Sequence, residues 1–144
     1  MSSIDPLILK YHSNNHFGNL LGVEYEILSP GEVVSSMLVR KDHLATPNSA
    51  HGGLIAAFVD GLLGFCGLSA VAADGKVVST VEFKINYFKP AFLGDQLLGK
   101  AKIDHKGSRI LVISAEVFVK NRDNLLVSKA MGTFNSYPAE KAGY

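Results

Sequence analysis

Hydrophobic residues are concentrated in one long segment, 52–73, whose only charged residue is Asp60 and whose only other polar residue is Ser69. The segment follows a His-Gly-Gly turn that begins at His51, and residues that break helices are rare inside it apart from glycine. This pattern predicts one long helix with a loop at its N-terminal end. A helix that is apolar on all sides must be buried in a large core or in a membrane.

The alternation of apolar and polar residues that is typical of strands marks 23–28, 77–89 and 96–105, and six shorter segments in all are predicted to be strands. They are predicted at 23–28, 32–40, 77–89, 96–105, 110–119 and 125–134, and most are joined by short turns. In 77–89 the alternation assigns opposite faces to two sets of residues, which are Val81, Phe83, Ile85 and Tyr87 against Thr80, Glu82, Lys84 and Asn86. Short hairpin links make such a sheet antiparallel, and one of its faces needs a cover. We therefore predict an α+β fold, in which an antiparallel sheet of about six strands wraps round one long central helix.

The predicted helix is long enough to span a bilayer, but three observations argue against a membrane protein. Asp60 would lie near the membrane centre, at a cost of roughly 2.5–3.5 kcal/mol. No cluster of lysine or arginine flanks the segment, and the amphipathic strands after it need an apolar surface on which to pack. The sequence therefore predicts a core helix and no membrane partner.

The chain has 144 residues, enough for one domain with a sizeable core. We predict a single domain over residues 1–144, with an N-terminal lead-in at 1–19, largely helical, and a loose tail at 136–144. The formal net charge of +1 and the scattered basic residues give no sign of a nucleic-acid partner. Cys66 is the only cysteine, which excludes an internal disulfide and fits a reducing, cytoplasmic compartment.

Three features together resemble the hotdog-fold thioesterases, in particular the PaaI-like and 4-hydroxybenzoyl-CoA-thioesterase-like group. They are the His51-Gly52-Gly53 turn, Asp60 on the helix that follows, and the strand TVEFKINYFKP at 80–90. The first hairpin and the turns at 93–95 and 106–109 are similar as well, so the resemblance covers roughly residues 20–134. It implies the hotdog fold and the hydrolysis of an acyl-CoA to a free acid and coenzyme A. We predict no cofactor and no metal.

Asp60 is the central catalytic candidate, because thioester hydrolysis needs a base that activates water or a nucleophile that attacks the carbonyl. Both roles stay open. The backbone N–H groups of Gly52 and Gly53 are the predicted oxyanion donors, since the first N–H groups of a helix lack internal partners.

The spacing along the helix bears on how many subunits form the site. Asp60 lies about 12 Å along the helix from Gly52, at 1.5 Å per residue, so the two cannot serve one carbonyl from the same chain. In the family, the helix start of one subunit meets the carboxylate of the other. We therefore predict a homodimer with shared active sites, or a dimer of such dimers.

Asn48 and His51 complete the predicted catalytic set. Much of the family carries an asparagine six positions before the histidine and a glycine three positions before it, where this chain has Ala45 and Asn48. Asn48 either takes over the role of the missing asparagine through a shift of the loop, or replaces the glycine by adopting left-handed geometry. For His51, a hydrogen bond that fixes the loop is the alternative to catalysis.

Seven residues are predicted to contact the substrate, namely Gly53, Gly64, Thr80, Phe88, Lys106, Gly107 and Arg109. Thr80 matches a hydroxyl position near the family's site, although threonine is also ordinary in strands. Lys106 and Arg109 would hold a phosphate of coenzyme A, and two solvated charges in a turn are the alternative. Asp60 also has a structural alternative, as a carboxylate that caps a loop.

Two other functions stay open from the sequence. A hotdog dehydratase or hydratase would act on acyl thioesters, but it uses a histidine and a carboxylate in a different sequence motif, which is not evident here. A protein that binds an acyl thioester without cleaving it would fit the absence of the asparagine at Ala45. The residues do not distinguish an aryl from an alkyl acyl group.

Overall fold

The computed structural model describes residues 4–144, which contain three α-helices and six β-strands. The helices are α1 (Pro6–Asn14), α2 (His16–Leu21) and α3 (Gly52–Val71). The strands are β1 (Glu24–Ser29), β2 (Glu32–Leu38), β3 (Lys76–Tyr87), β4 (Gln96–Lys106), β5 (Ile110–Val119) and β6 (Leu125–Pro138). Short 3₁₀ turns lie at Lys41–His43, Ala72–Asp74 and Ala139–Ala142.

Helix α3 is the predicted long helix, and local contacts account for both of its ends. His51 caps the N-terminus, where its Nδ1 accepts a hydrogen bond from the Gly53 N–H at 2.7 Å. At the other end the chain tightens into a 3₁₀ turn and leaves it at Gly75, whose φ of +70° is left-handed. The leucine, isoleucine, valine and phenylalanine side chains between these ends are all buried, which explains why the helix has no polar face.

The six strands form one antiparallel sheet in the order β1-β2-β4-β5-β6-β3. Helix α3 contacts every strand of this sheet, and the hydrophobic core lies between the helix and the sheet. Strand β3 follows α3 directly in the chain but pairs with β6, so it forms one edge of the sheet and β1 forms the other. The predicted α+β fold, with a six-stranded antiparallel sheet and one long central helix, is confirmed.

A bulge in β3 changes the faces that the alternation predicted. The pairing of β3 with β6 shifts between Thr80 and Glu82, so Val81 is an extra residue in this strand. The prediction placed Thr80 and Val81 on opposite faces, with Val81 on the same face as Phe83 and Ile85. Instead the Thr80 hydroxyl bonds to a side chain of α3, and Val81 is 58% exposed. Beyond the bulge, Phe83 and Ile85 share one face, as predicted, and this face packs against the core.

The predicted end of the N-terminal lead-in at residue 19 is wrong. The Asp5 carboxylate caps α1 by accepting a hydrogen bond from the Leu7 N–H at 2.8 Å. A second helix, α2, follows at once, because the Asn15 side chain caps it in turn. It continues to Leu21 and ends at Gly22, whose φ is +81°. The part of this prediction that falls on residues 1–3 lies outside the described residues.

The predicted loose tail at 136–144 is also wrong. Strand β6 continues to Pro138, because β3 begins early enough to pair with Ser136 and Tyr137. The Ala139 N–H then donates to the Gly75 carbonyl at 3.0 Å. These residues show no alternation of apolar and polar types, because the segment is held mainly by backbone pairing. The sequence pattern therefore did not indicate a strand here.

One described segment, Gly52–Asp74, has the length and composition of a membrane span, and 67% of its most apolar window is buried in the protein. A core helix has the same length and composition. Its burial against the sheet agrees with the prediction of a core helix.

Candidate active site

Asp60 lies near the middle of α3, is half-buried, and faces strand β3. Its Oδ1 accepts a hydrogen bond from the Thr80 hydroxyl at 2.7 Å. The bulge at Val81 turns Thr80 toward the helix, so helix and strand together hold the carboxylate in one orientation. The fold thus joins two predicted site residues that lie 20 positions apart in sequence.

Asp60 and Thr80 lie on the wall of a pocket of about 140 Å³ between α3 and β3. Most of the remaining wall is apolar or small, and it consists of Tyr11, Gly61, Gly64, Leu68, Val77, Val78, Ser79 and Phe134. Wider, more open grooves lie on the outer face of the sheet, but charged side chains of both signs line them. The pocket beside Asp60 combines a carboxylate with a mostly apolar surface and contains no second charged side chain among the described residues.

Two glycines of α3 border this pocket for different reasons. At Gly61 an added Cβ would lie 2.6 Å from the Tyr25 hydroxyl, so a side chain here would force the stacked Tyr25 ring to shift. At Gly64 an added Cβ would lie 3.4 Å from Phe134, which is an ordinary packing distance. Glycine inside a helix costs about 1 kcal/mol relative to alanine. Packing does not require a glycine at position 64, where the missing side chain instead leaves space in the pocket.

Tyr11 of the pocket wall belongs to a cluster of three aromatic rings. The Tyr25 and Phe65 rings stack with their centroids 4.4 Å apart, and the Tyr11 ring meets Phe65 at 6.2 Å with a tilt of 40°. Burial raises the pKa of Tyr11, and Tyr144 and Asp60 raise it further. Burial also raises the pKa of Tyr25, with smaller contributions from Tyr11 and Asp60. Both phenols are therefore neutral and protonated close to the Asp60 carboxylate.

The start of α3 presents one backbone N–H group without an acceptor. The Gly53 N–H donates to His51 Nδ1 at 2.7 Å, and the Leu54 N–H donates to the His51 carbonyl at 3.0 Å. Among the hydrogen bonds formed within residues 4–144, none uses the N–H of Gly52, which is exposed. Of the two predicted oxyanion donors, Gly52 is available and Gly53 is engaged in the cap.

His51 has the structural role that the sequence left open beside catalysis, because it is the N-cap of α3. Its own N–H donates to the carbonyl of His43 at 2.9 Å. His43 is buried, and its Nδ1 accepts a hydrogen bond from the Arg40 N–H at 3.0 Å. Burial lowers the pKa of His43, and the nearby Arg40 guanidinium lowers it further, against a smaller opposing effect of Asp42. A catalytic role for His51 stays a prediction.

Asn48 is exposed in the loop before α3. Its carbonyl accepts a hydrogen bond from the Leu93 N–H at 2.9 Å. Asn48 does not have a positive φ, so the interpretation that it replaces a glycine through left-handed geometry is wrong. Its participation in catalysis stays a prediction.

Strand β3 also reaches the start of the helix. The Tyr87 hydroxyl donates to the Gly52 carbonyl at 2.7 Å, and burial raises the pKa of Tyr87. Phe88, which is predicted to contact the substrate, follows directly and is 49% exposed. Two side chains of β3 thus contact α3 at chemically important points, Thr80 at Asp60 and Tyr87 at Gly52.

The predicted phosphate-binding residues lie at the opposite end of α3. Lys106 Nζ donates to the Ala70 carbonyl at 2.9 Å and lies 3.7 Å from the Asp74 carboxylate. A cation is favourable at the C-terminus of a helix, so this lysine has a structural role. Gly107 closes the β4–β5 turn through its N–H, and Arg109 is exposed in the same turn. Substrate contact by these three residues stays a prediction.

The predicted site residues therefore fall into three groups along α3. The middle group is Asp60, Gly64 and Thr80, the start group is Asn48, His51, Gly52, Gly53 and Phe88, and the end group is Lys106, Gly107 and Arg109. Asp60 lies about 12 Å from Gly52 along one continuous helix, so one chain does not bring the carboxylate and the oxyanion donor to the same carbonyl. Residues 4–144 contain no group of three His, Cys, Asp or Glu side chains suited to a metal ion.

Sequence reasoning missed Tyr11 on the pocket wall and Tyr87 at the start of the helix. For Tyr87 a signal existed, because the alternation in β3 placed it on the same face as the apolar residues Phe83 and Ile85. For Tyr11 the sequence showed only a short helical lead-in, and its position depends on how α1 packs against α3.

A family model described as the thioesterase superfamily matches residues 48–125. The match contains every predicted site residue, from Asn48 to Arg109. A putative esterase of Archaeoglobus fulgidus is 32% identical over 122 residues, which cover 85% of this chain and 75% of that protein. Acyl-coenzyme A thioesterase PaaI of Escherichia coli is 27% identical over 110 residues, which cover 74% of this chain and 73% of that protein.

Solved structures agree with this similarity. The E. coli PaaI protein has a TM-score of 0.82 at 21% identity, over 94% of this chain and 96% of that one, which confirms the predicted hotdog fold. A hypothetical thioesterase of Streptococcus pneumoniae, solved with coenzyme A, has a TM-score of 0.72 at 27% identity, over 81% of this chain and 89% of that one.

Proposed function

The chain belongs to the thioesterase superfamily, and from this premise we propose that it hydrolyses acyl-CoA thioesters to a free acid and coenzyme A at a site shared by two subunits. The name of the E. coli relative and the coenzyme A bound to the pneumococcal thioesterase support this substrate class. The observation that carries the proposal is the Asp60–Thr80 pair on the wall of a largely apolar pocket.

Thr80 positions the catalytic carboxylate in this proposal. Its hydrogen bond occupies Asp60 Oδ1, and no donor among residues 4–144 bonds to Oδ2. Oδ2 then either removes a proton from a water that attacks the thioester carbonyl, or attacks that carbonyl to form an anhydride that water hydrolyses. In both routes the carbon–sulfur bond breaks, and coenzyme A leaves and takes up a proton as the thiol.

The Gly52 N–H is the proposed donor to the oxyanion. It is exposed at the positive end of the helix dipole and has no acceptor within the described part of the chain. An added Cβ at Gly52 would lie 3.9 Å from Tyr87, so packing does not require glycine there. The absence of a side chain instead allows a substrate carbonyl to approach the backbone closely.

The arrangement of β3 indicates how a second copy would complete the site. Thr80 lies beside Asp60, and Tyr87 lies beside Gly52, on the same edge strand. If the β3 strands of two copies run antiparallel about a twofold axis between these positions, Thr80 of one copy lies opposite Tyr87 of the other. Asp60 of one copy then approaches Gly52 of the second copy, which overcomes the separation along α3.

The exposed edge of β3 supports such a dimer. This strand has 12 residues and, within residues 4–144, pairs only with β6. Val81 and Tyr87 on this strand, and Phe88 directly after it, are each about half exposed. A long unpaired edge with apolar side chains favours pairing with another chain.

The first test is thiol release from short, long and aromatic acyl-CoAs. We expect the wild-type protein to release coenzyme A, and Asp60→Asn to lower kcat by roughly 10²–10⁴-fold, the usual contribution of general-base catalysis. Thr80→Val removes the hydroxyl at nearly constant shape and is expected to lower kcat, whereas Thr80→Ser keeps the donor and most of the activity. Hydrolysis by Asp60→Asn at the wild-type rate would refute the proposal.

The same assay distinguishes the two alternative functions. Tight binding of acyl-CoA without release of a thiol would identify a binding protein. Addition of water to a crotonyl-type substrate with the thioester intact would identify a hydratase.

The second test asks whether two chains share one site. Gly52→Pro removes the proposed donor at the first position of the helix, where proline is tolerated and the extended His51 (ψ 136°) accepts it. We expect a loss of roughly 10²–10³-fold in kcat. Gly52→Ala keeps the N–H and is the matched control for the added Cβ.

Mixing Asp60→Asn with Gly52→Pro then restores activity, because each mixed dimer contains one site with both groups intact. Random reassortment of equal amounts is expected to return about a quarter of the wild-type activity, since half of the dimers are mixed and each has one intact site. If mixing restores nothing while chain exchange is demonstrated, the carboxylate and the donor do not come from different subunits.

A further inference from the structure

The pocket beside Asp60 is polar at one part of its wall and apolar elsewhere. Asp60, Thr80 and Ser79 supply the polar part. Leu68, Val77, Val78 and Phe134 supply most of the apolar part, with Gly61 and Gly64 on the helix side. A thioester whose carbonyl lies at the carboxylate would therefore place its acyl group, which is more apolar than the amide-containing arm of coenzyme A, against the apolar wall.

The size of this pocket limits what it holds. Its volume is about 140 Å³, close to the 150 Å³ of an apolar protein cavity that binds benzene. One aromatic ring or a short alkyl chain of similar volume fills such a space. A long fatty acyl chain needs an opening in one of the walls.

Tyr11 is the residue of the pocket wall that comes from α1, whereas the others come from α3, β3 and β6. Its ring is held by the tilted contact with Phe65, which in turn stacks on Tyr25. Tyr11 also packs against the hydrophobic core, as does Tyr144 from the C-terminal end. The ring is therefore a fixed part of the wall on the side of α1.

We infer that the Tyr11 ring closes the acyl pocket on the side of α1 and restricts the substrate to acyl-CoAs with a single ring or a short chain. This inference rests on the proposed thioesterase function and adds a specificity-determining residue outside the segment that the family model matches. Tyr11 contacts the acyl group through its ring, and its hydroxyl takes no part in the selection.

A substitution at Gly64 is expected to narrow the pocket, whereas removal of the Tyr11 ring is expected to enlarge it. A Cβ at this position lies 3.4 Å from Phe134 and projects into the pocket without a severe overlap. Gly64→Ala therefore narrows the pocket, and alanine favours the helix by about 1 kcal/mol. Tyr11→Ala removes the ring and enlarges the pocket.

The experiment measures kcat/KM for butanoyl-, hexanoyl-, decanoyl-, hexadecanoyl- and benzoyl-CoA with the wild-type protein and each variant. The readout is the ratio of decanoyl- to butanoyl-CoA, which does not depend on the fraction of folded enzyme. We expect Tyr11→Ala and Tyr11→Leu to raise this ratio at least tenfold and Gly64→Ala to lower the ratio of hexanoyl- to butanoyl-CoA. Tyr11→Phe keeps the ring and is expected to leave both ratios unchanged.

The inference is overturned if Tyr11→Ala and Tyr11→Leu hydrolyse the series in the wild-type proportions. It is also overturned if Tyr11→Phe shifts the ratio as far as Tyr11→Ala, since the hydroxyl would then be responsible. Absence of hydrolysis by the wild-type protein with every acyl-CoA would contradict the proposed function itself. That result is distinguishable from an active enzyme whose relative kcat/KM values across the acyl-CoA series do not change when Tyr11 is substituted.

Discussion

At the start of α3, two adjacent glycines differ in what a side chain would meet. An added Cβ at Gly53 would lie 2.8 Å from His51 Nδ1, so glycine there is needed for the cap. At Gly52 the nearest atom would be 3.9 Å away, and the N–H of this residue has no acceptor among the described residues. The sequence motif does not distinguish the two glycines, whereas in the structure the Gly53 N–H forms the cap and only the Gly52 N–H lacks an acceptor among the described residues.

His43 holds the same loop, because its carbonyl accepts a hydrogen bond from the His51 N–H. Its side chain also makes the stability of the protein depend on pH. Its buried ring accepts the Arg40 N–H, and its pKa is lowered from 6.5 by burial and by the Arg40 guanidinium. Between the folded value and 6.5, the unfolded chain binds more protons than the folded protein. We expect the free energy of unfolding by urea to be highest above that range and to fall as the pH drops through it.

The control for this prediction is His43→Asn, which retains an acceptor near the position of Nδ1 and does not titrate. Its free energy of unfolding is expected to depend less on pH than that of the wild-type protein, measured at equal protein concentration. Equal pH dependence in the two proteins would show that His43 is not the responsible group.

Among the elements, the loop before β4 is joined to the β5–β6 turn by a buried ion pair. Asp95 is 5% exposed, and its two oxygens accept hydrogen bonds from Arg122 at 3.1 and 2.6 Å. The Asp95 carboxylate also accepts the Phe92 N–H at 2.7 Å. Arg122 further donates to the Pro90 carbonyl and lies over the Phe92 ring. One arginine therefore fixes the segment that leads from β3 into β4.

Arg122→Ala is expected to lower the free energy of unfolding by about 3–5 kcal/mol, because it leaves a buried carboxylate without its cation. Denaturant unfolding followed by circular dichroism measures this loss. Lys129→Ala is the matched control, since its pair with Glu116 at 3.6 Å is exposed on both sides and is worth less than about 1 kcal/mol. A similar loss in both variants would contradict the assigned importance of the buried pair.

At the scale of the whole molecule, the proposed site is incomplete within one chain. The helix that carries Asp60 also carries Gly52, and its rigidity keeps the two apart. The edge strand β3, with its exposed Val81 and Tyr87, and Phe88 directly after it supply the surface on which a second copy would complete the proposed site. Catalysis and assembly are therefore expected to be lost together.

Val81→Asp tests that link, because it places a charge on the exposed edge of β3 without touching the core. We expect the variant to sediment as a monomer and to lose most of its thiol-release activity while its circular dichroism stays native. Leu28→Asp places the same charge on β1, at the opposite edge of the sheet and at similar exposure, and is expected to leave both properties unchanged. A fully active monomer of Val81→Asp would contradict a shared site.

The hydrophobic pattern alone determined the long helix, the six strands and their antiparallel arrangement, because burial leaves a periodic trace in neighbouring residues. The His-Gly-Gly turn and Asp60 were likewise recognisable, since their residue types and spacing are local. Other features were decided only by the tertiary structure. The bulge at Val81 turns Thr80 to Asp60, the His51 cap leaves Gly52 as the available donor, and the packing of α1 places Tyr11 on the pocket wall. Each of these depends on contacts between residues far apart in the chain or on a local break in periodicity, neither of which a repeating pattern records.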